Sequence, residues 1–236
     1  MGMNTNIEPT FSKKTQCTFC HHSYTTTKVR SRFVKPVTTD SLFYTTYEDD
    51  SCNPLLYHVH VCPECGYSFN DQFSTSFPPH TKHEIEKNLT NKWSGQDLTG
   101  VRTYSDAVRS LKLCIYTATL KEEKPVVLAG LYIRTLWLYQ HMDRKDQEER
   151  FMRLAVEQYE KAYIEDRLDQ PDMTPLKVLY LIGALYHRLG DQNNALKNFA
   201  KVVEKKNAVF DPKIVEMARD QWQNIRTEMK KDFTMS

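Results

Sequence analysis

LKVLYLIGALYHRLGDQNNALKNFAKVVEKKNAV, residues 176–209, carries its apolar side chains at helical spacing on both sides of Gly190-Asp191. Leu179, Ile182, Gly183 and Tyr186 share one face before the break, and Ala195, Phe199 and Val202 share one after it. A Gly-Asp pair between two such runs ends one helix and starts the next. The two helices therefore fold back as a hairpin. Gly183 in mid-helix would cost about 1 kcal/mol against alanine in isolation; a close helix crossing there gives it a reason.

The hairpin resembles a tetratricopeptide repeat, a unit of about 34 residues with small side chains where its helices cross. Gly183 and Tyr186 stand at the small and aromatic positions of the first helix, Ala195 and Phe199 at those of the second. Leu179 replaces the usual Trp, Val202 the usual Ala and Asn207 the usual Pro. The second-helix signature recurs as Ala107, Leu111, Cys114 and as Ala155, Tyr159, Ala162, at intervals of 48 and 40 residues. The expected array is thus irregular, with longer connections such as 143–149. Val127, Leu128, Leu131, Trp137 and Leu138 mark a helix apolar nearly all round, as a central element should be. Ile214, Ala218, Trp222, Ile225 and Met229 mark the terminal capping helix such arrays need. Lys124-Pro125, Gln170-Pro171, Gly190-Asp191 and Asp211-Pro212 separate the elements. Stacked hairpins make a concave groove lined by first helices. Its candidate contacts to a protein or peptide partner are Lys177, Tyr180, His187 and Arg188, with Arg134 and His141 by analogy from the preceding hairpin; the competing reading is a solvated face. The Lys/Asn carboxylate clamp of chaperone-tail-binding repeats is not reproduced at these positions.

Ahead of the helices lie two C-x-x-C pairs, Cys17-Thr18-Phe19-Cys20 and Cys62-Pro63-Glu64-Cys65. Two residues between cysteines let one tight turn aim both thiolates at one metal, about 2.3 Å from each sulfur. Gly66 follows the second pair, where such a knuckle needs a left-handed residue. The pairs predict one structural Zn2+ per chain, held by Cys17, Cys20, Cys62 and Cys65; four thiolates leave no position open for catalytic water. The 41 residues between the pairs exceed a compact zinc ribbon, so an insertion must bring the knuckles together. Redox dithiols are the alternative, but neither pair sits in a βαβ pattern. His21, His22, His58, His60 and Cys52 are nearby substitutes for a thiolate, with His58 and His60 expected on one face of a strand over 55–61. Cys114 reads as a buried, inert thiol on a helix face.

Residues 9–39 hold six basic side chains and no acidic one; residues 36–81 hold six acidic and no Lys or Arg. A strand over 24–34 would put Lys28, Arg30 and Arg32 on one face. That stripe could contact phosphate or nucleic acid, or could be a solvated face offsetting the charge of a four-thiolate zinc.

With 236 residues the chain has room for one or two domains. No apolar run reaches the ~18 residues of a membrane span, and the polar start, residues 1–6, does not read as a signal peptide. Only 7 glycines are present, and neither G-x-x-x-x-G-K-[ST] nor G-x-G-x-x-G occurs, which excludes P-loop and Rossmann chemistry. G-x-S-x-G and H-E-x-x-H are missing too. Cys52 lies among Asp49 and Asp50, a field that raises a thiol pKa and argues against a thiol enzyme.

The first knuckle followed by Lys28-Val29-Arg30-Ser31, and the run Asn53-Pro54-Leu55-Leu56-Tyr57-His58-Val59-His60-Val61-Cys62-Pro63-Glu64-Cys65-Gly66-Tyr67, resemble the bacterial domain-of-unknown-function 2225 family over most of the chain. The resemblance implies a bacterial cytoplasmic protein and the same four knuckle cysteines; it brings no activity. The expected architecture is mostly α: a small β-rich, zinc-ribbon-like module at 10–80, a connector at 78–100 with a short helix over 82–91, and a tetratricopeptide-like array of α-α hairpins at 98–236. The expected function is a non-enzymatic adaptor that binds a partner protein in its helical groove, with no membrane. The alternative is a nucleic-acid-binding regulator using Lys28, Arg30 and Arg32.

Overall fold

The structure is a computed structural model that describes residues 7–165, 168, 172–204 and 211–235. The polar start at 1–6, the Gln170-Pro171 stop, Asn207 and the end of the repeat at Val209 lie outside the described residues. The protein is mostly helical, with small antiparallel strand pairs first and a helical array after. In chain order the strands are β1 (Thr10–Gln16), β2 (Ser23–Val29), β3 (Pro36–Thr39), β4 (Thr45–Tyr47), β5 (His60–Val61) and β6 (Ser68–Phe69). The helices are α1 (Thr81–Asn88), α2 (Tyr104–Leu120), α3 (Pro125–His141), α4 (Lys145–Ile164), α5 (Pro175–Arg188), α6 (Gln192–Glu204) and α7 (Pro212–Met235).

Two compact units divide the chain: Met1–Asp40, Tyr44–Glu123 and Trp137–Asp143 form the first, and Ser41–Phe43, Lys124–Leu136 and Arg144–Ser236 the second. The first holds three two-stranded sheets, β1-β2, β3-β4 and β5-β6, all antiparallel. Helix α2 belongs to this unit, not to the array, and packs on β5, β6, α1 and the 3-10 turn Pro54–Tyr57. Its N-terminus is fixed by a capping box, with Thr103 Oγ1 accepting from Asp106 N and Asp106 Oδ2 accepting from Thr103 N. Its far end meets the sheet where Ser68 N donates to Thr117 Oγ1 at 3.4 Å.

Two expected strands are shorter than their apolar spacing suggests. The run 24–34 becomes β2 and a 3-10 turn, Ser31–Phe33, because the ladder with β1 ends at Thr10↔Val29 and Arg30 N turns to Pro9 O at 2.8 Å. The run 55–61 becomes the turn Pro54–Tyr57 plus the two residues of β5. Asn53 caps that turn by accepting from Leu55 N at 2.9 Å, and Pro54 supplies a φ suited to its first position.

In the second unit α5, α6 and α7 pack in sequence, α4 packs on α5, and α7 also reaches α5. Thr174 caps α5 and Asp191 caps α6, the latter accepting from Asn194 N at 3.0 Å. Gly190 takes φ +82°, closing the hairpin between them. A Cβ placed at Gly183 would stand 2.9 Å from Cε1 of Phe199, so the crossing does require glycine. All nine residues of the recurring signature on α2, α4 and α6 are buried.

Candidate metal centre

Each C-x-x-C pair folds as a knuckle, and the two are built alike. Cys17 N donates to His22 O at 2.9 Å and His21 N to Cys17 O at 3.1 Å; Cys62 N donates to Tyr67 O at 3.0 Å and Gly66 N to Cys62 O at 2.9 Å. The residue after each second cysteine is left-handed, His21 at φ +61° and Gly66 at φ +72°. Glycine takes that conformation freely and an exposed histidine takes it with less penalty than a β-branched residue. At Gly66 space matters as well as φ, because a Cβ would meet the Trp93 ring at 2.5 Å. Trp93 is held there by its indole N–H, which donates to Pro63 O at 2.9 Å.

The first knuckle is the turn of the β1-β2 hairpin, and the second is the turn between β5 and β6. Together they bring four sulfurs within 4.8 Å of one another. Cys17 Sγ lies 3.7 Å from Cys65 Sγ, and Cys20 Sγ 3.7 Å from Cys62 Sγ. A disulfide needs about 2.05 Å, whereas a tetrahedron with metal–sulfur bonds of about 2.3 Å has edges of about 3.8 Å. The four cysteines can therefore hold a metal ion. Among the described residues no other group of His, Cys, Asp or Glu is gathered this way.

Electrostatics point the same way. Cys17 is brought down to about 5 by the hydrogen bond from Cys65. Cys65 is pushed up by that same bond and by burial, so the two hold one proton between them. Burial pushes Cys62 up to about 11, with the Cys17 charge adding to it. A divalent cation removes this conflict, because it favours all four thiolates at once. Around the sulfurs lies an apolar shell of Tyr67, Phe69, Ile85 and Leu89, with Phe19, Tyr24, Phe73 and Phe77 at its margin. Phe19 stacks on Tyr67 with ring centroids 5.3 Å apart.

The substitute ligands stand outside the sulfur cluster. His58 Nε2 accepts from Asn70 Nδ2 at 3.1 Å. His60 is buried, and burial pushes it down to about 4, leaving it neutral. Cys52 donates to Asp49 Oδ2 at 3.4 Å, and burial raises its thiol. Cys114 is fully buried in α2, with its thiol raised by burial.

Lys28, Arg30 and Arg32 do not all lie on one strand. Lys28 is half-buried and donates to Tyr57 O at 3.1 Å. Arg30, beyond the end of β2, donates to Glu8 O at 3.1 Å and lies over the Phe11 ring. Arg32, in the 3-10 turn, lies over the Phe33 ring. The ladder ends before Arg32, so the alternation carries from Lys28 to Arg30 and no further.

The six groove candidates do not line one open face. His141 falls in the first unit, stacked on Tyr104 at 3.8 Å with its Nδ1 3.1 Å from Tyr44 Oη. Tyr180 is fully buried, donating from its hydroxyl to Ser41 O at 2.9 Å. Phe43 lies against it at 5.7 Å, and Lys177 sits over the Phe43 ring. Arg188 pairs with the buried Glu148 at 2.9 Å. Arg134 is half-buried and donates to Gly130 O on its own helix at 2.7 Å. His187 is half-buried, with Nδ1 enclosed and without a hydrogen-bond partner among the described residues. The segment Ser41–Phe43 covers the first-helix surface that period alone leaves open.

Two buried cations were not foreseen. Arg102 is 4% exposed and donates to the carbonyls of Leu56, Val59 and Leu98, tying the Pro54–Tyr57 turn to the start of α2. Lys121 and Glu123 form an ion pair at 2.6 Å with both side chains 1% exposed. Nothing in the sequence around Arg102 marks it as buried; the only local hint at Lys121 is a pair of opposite charges two residues apart.

A family model described as "Uncharacterized protein conserved in bacteria (DUF2225)" matches residues 10–225, and the chain belongs to that family. No curated protein and no solved structure matches it. No helix among the described residues is long and apolar enough to cross a membrane.

Proposed function

We propose that this member of the DUF2225 family is a non-enzymatic scaffold, stabilised by one structural Zn2+, that binds a partner protein through its tetratricopeptide-like helical array. The observation that carries the metal half is the cluster of four sulfurs within 4.8 Å of one another, with 3.7 Å between Cys17 and Cys65 and between Cys20 and Cys62. An all-thiolate set of that size selects zinc over the hard cations. Four sulfurs complete the coordination shell, so the ion would fold the module and leave no site for substrate. In support of the adaptor half, α4 to α7 present a stacked helical surface, and Lys177 and His187 on α5 keep part of their side chains accessible. The expected compartment is the cytoplasm, where free thiols persist and all six cysteines stay reduced.

Metal content by elemental analysis on untagged protein tests this reading, alongside Cys17→Ser and Cys65→Ser. One zinc per chain, lost in both variants together with the structure of the first unit, is expected. Zinc lost in only one variant, or no zinc, would overturn it and bring dithiol redox chemistry forward.

A further inference from the structure

Among the described residues strand β1 has one partner, β2, and one open edge. At the two ends of its ladder, Cys17 N donates to His22 O and Arg30 N to Pro9 O. In register between them stand Thr15↔Tyr24, Lys13↔Thr26 and Phe11↔Lys28. Antiparallel bonding alternates, so these odd-numbered residues turn their backbone groups toward β2. Thr10, Ser12, Lys14 and Gln16 turn theirs outward, and among the described residues no backbone group meets them. Such a row of free N–H and C=O groups is a template for a further strand.

The edge carries its own selectivity. Residues 9–39 hold no acidic side chain, and Lys13 and Lys14, both exposed, project to opposite faces of the strand. A second copy of β1 paired antiparallel would bring lysines beside lysines, which disfavours self-pairing. An extended segment with two adjacent acidic residues would place one carboxylate beside each lysine. At the knuckle end, a cleft of about 580 Å³ lined by Lys14, Thr15, Gln16, Ser23, Tyr24 and Thr25 leaves room for that segment's side chains. The strand is also pinned for the task. Its turn is the first knuckle, and the outer edge of β2 is tied down where Thr27 N donates to Thr99 O at 2.8 Å.

We propose that the outer edge of β1 is a docking site for an extended, acidic segment of a partner protein, added as a third strand to the β1-β2 sheet. This is strand addition, in which the main chain supplies affinity and the flanking charges supply specificity. The site lies in the first unit, and shares with the scaffold reading only the turn that the metal would pin.

The test uses the full, metal-loaded chain and the synthetic peptide Thr-Val-Thr-Glu-Asp-Thr-Val-Thr, with the same sequence carrying Lys-Lys as its counterpart. Amide exchange followed by NMR should slow about tenfold or more at Ser12 and Lys14 when the acidic peptide is added, and stay unchanged at Phe11, Lys13 and Thr15. Lys14→Pro removes only an outward N–H, a change that an edge strand tolerates. It should abolish binding with circular dichroism and metal content unchanged, whereas Lys14→Ala should weaken binding several-fold. The proposal is overturned if the even-numbered amides do not respond, if Lys14→Pro still binds, if the Lys-Lys peptide binds equally well, or if a duplex oligonucleotide displaces the acidic peptide and protects the same amides. If Lys14→Pro fails to fold, the alternation of protection in the unaltered chain decides alone. Metal content measured on the same sample separates failure of this site from failure of the zinc reading.

Discussion

Replacing Lys121 by methionine tests the most costly arrangement in the first unit. The ammonium donates to Glu123 Oε1 at 2.6 Å, to Ser74 Oγ at 3.0 Å and to Ser74 O, and it lies 4.6 Å from the centre of the Phe77 ring. Methionine keeps the stem and removes the charge. Among the described residues Glu123 then keeps Ser74 N, at 3.0 Å, and Ser74 Oγ, at 3.1 Å, as donors to a buried carboxylate. Breaking a buried pair from one side costs about 3–5 kcal/mol. The two surviving bonds to Ser74 set the lower end, so we expect about 3 kcal/mol. With a urea slope of about 2–3 kcal/mol/M, that lowers the midpoint by about 1–1.5 M. Trp93 fluorescence reports it in a background where Trp137 and Trp222 are phenylalanine. Lys121→Met/Glu123→Gln removes both charges while keeping an acceptor for Ser74, and should recover about 2 kcal/mol. A single variant within about 0.5 kcal/mol of the parent, or a double variant less stable than the single, would refute the argument.

Gly66→Ala must hold φ near +72° and push a methyl into the Trp93 ring, so it should cost about 1–3 kcal/mol and speed zinc loss to a chelator; equal retention would contradict the knuckle geometry. Gly183→Val drives more atoms into Phe199, already 2.9 Å from a bare Cβ, and should lower array stability by about 2 kcal/mol, with Phe199→Leu in the same chain restoring part of it in thermal melts. Thr103→Ala removes the α2 cap and should cost about 1 kcal/mol at neutral pH. Asp106 is held below its usual range by the Thr103 hydrogen bond and by Arg109. Its folded value is below its unfolded one, so its stabilisation is present above pH of about 4 and fades as the pH falls through the folded value. The stability gap between the parent and Asp106→Ala, followed by urea titration, should close toward acid.

What could be read from the chain alone follows the range of the interaction. The helices and their inner faces were legible because a 3.6-residue period is local: Ala155, Tyr159 and Ala162, or Ala195, Phe199 and Val202, bury together whatever lies across from them. The knuckles were legible because two thiols in one turn need no partner to declare their spacing. The left-handed His21 escaped notice because histidine carries no mark of positive φ, although its place after Cys20 matches that of Gly66 after Cys65. Tyr180 and Lys121 failed for a different reason. By period Tyr180 belongs to an outward face, and Lys121-Glu122-Glu123-Lys124 has the composition of a solvated connection. Each is buried by a distant stretch of chain: Tyr180 by Ser41, 139 residues away, and Lys121 by Ser74, 47 residues away. Amphiphilic side chains are the ones for which such coverage changes the meaning of a position, because their apolar bodies bury readily once the polar tip finds a carbonyl or a counter-charge. A groove proposed from helical period is therefore a claim about what does not cover it, and at Tyr180 the face of α5 is covered by Ser41 and Phe43. On β1 the odd-numbered bonds to β2 fix which backbone groups face outward, and among the described residues no backbone group meets them.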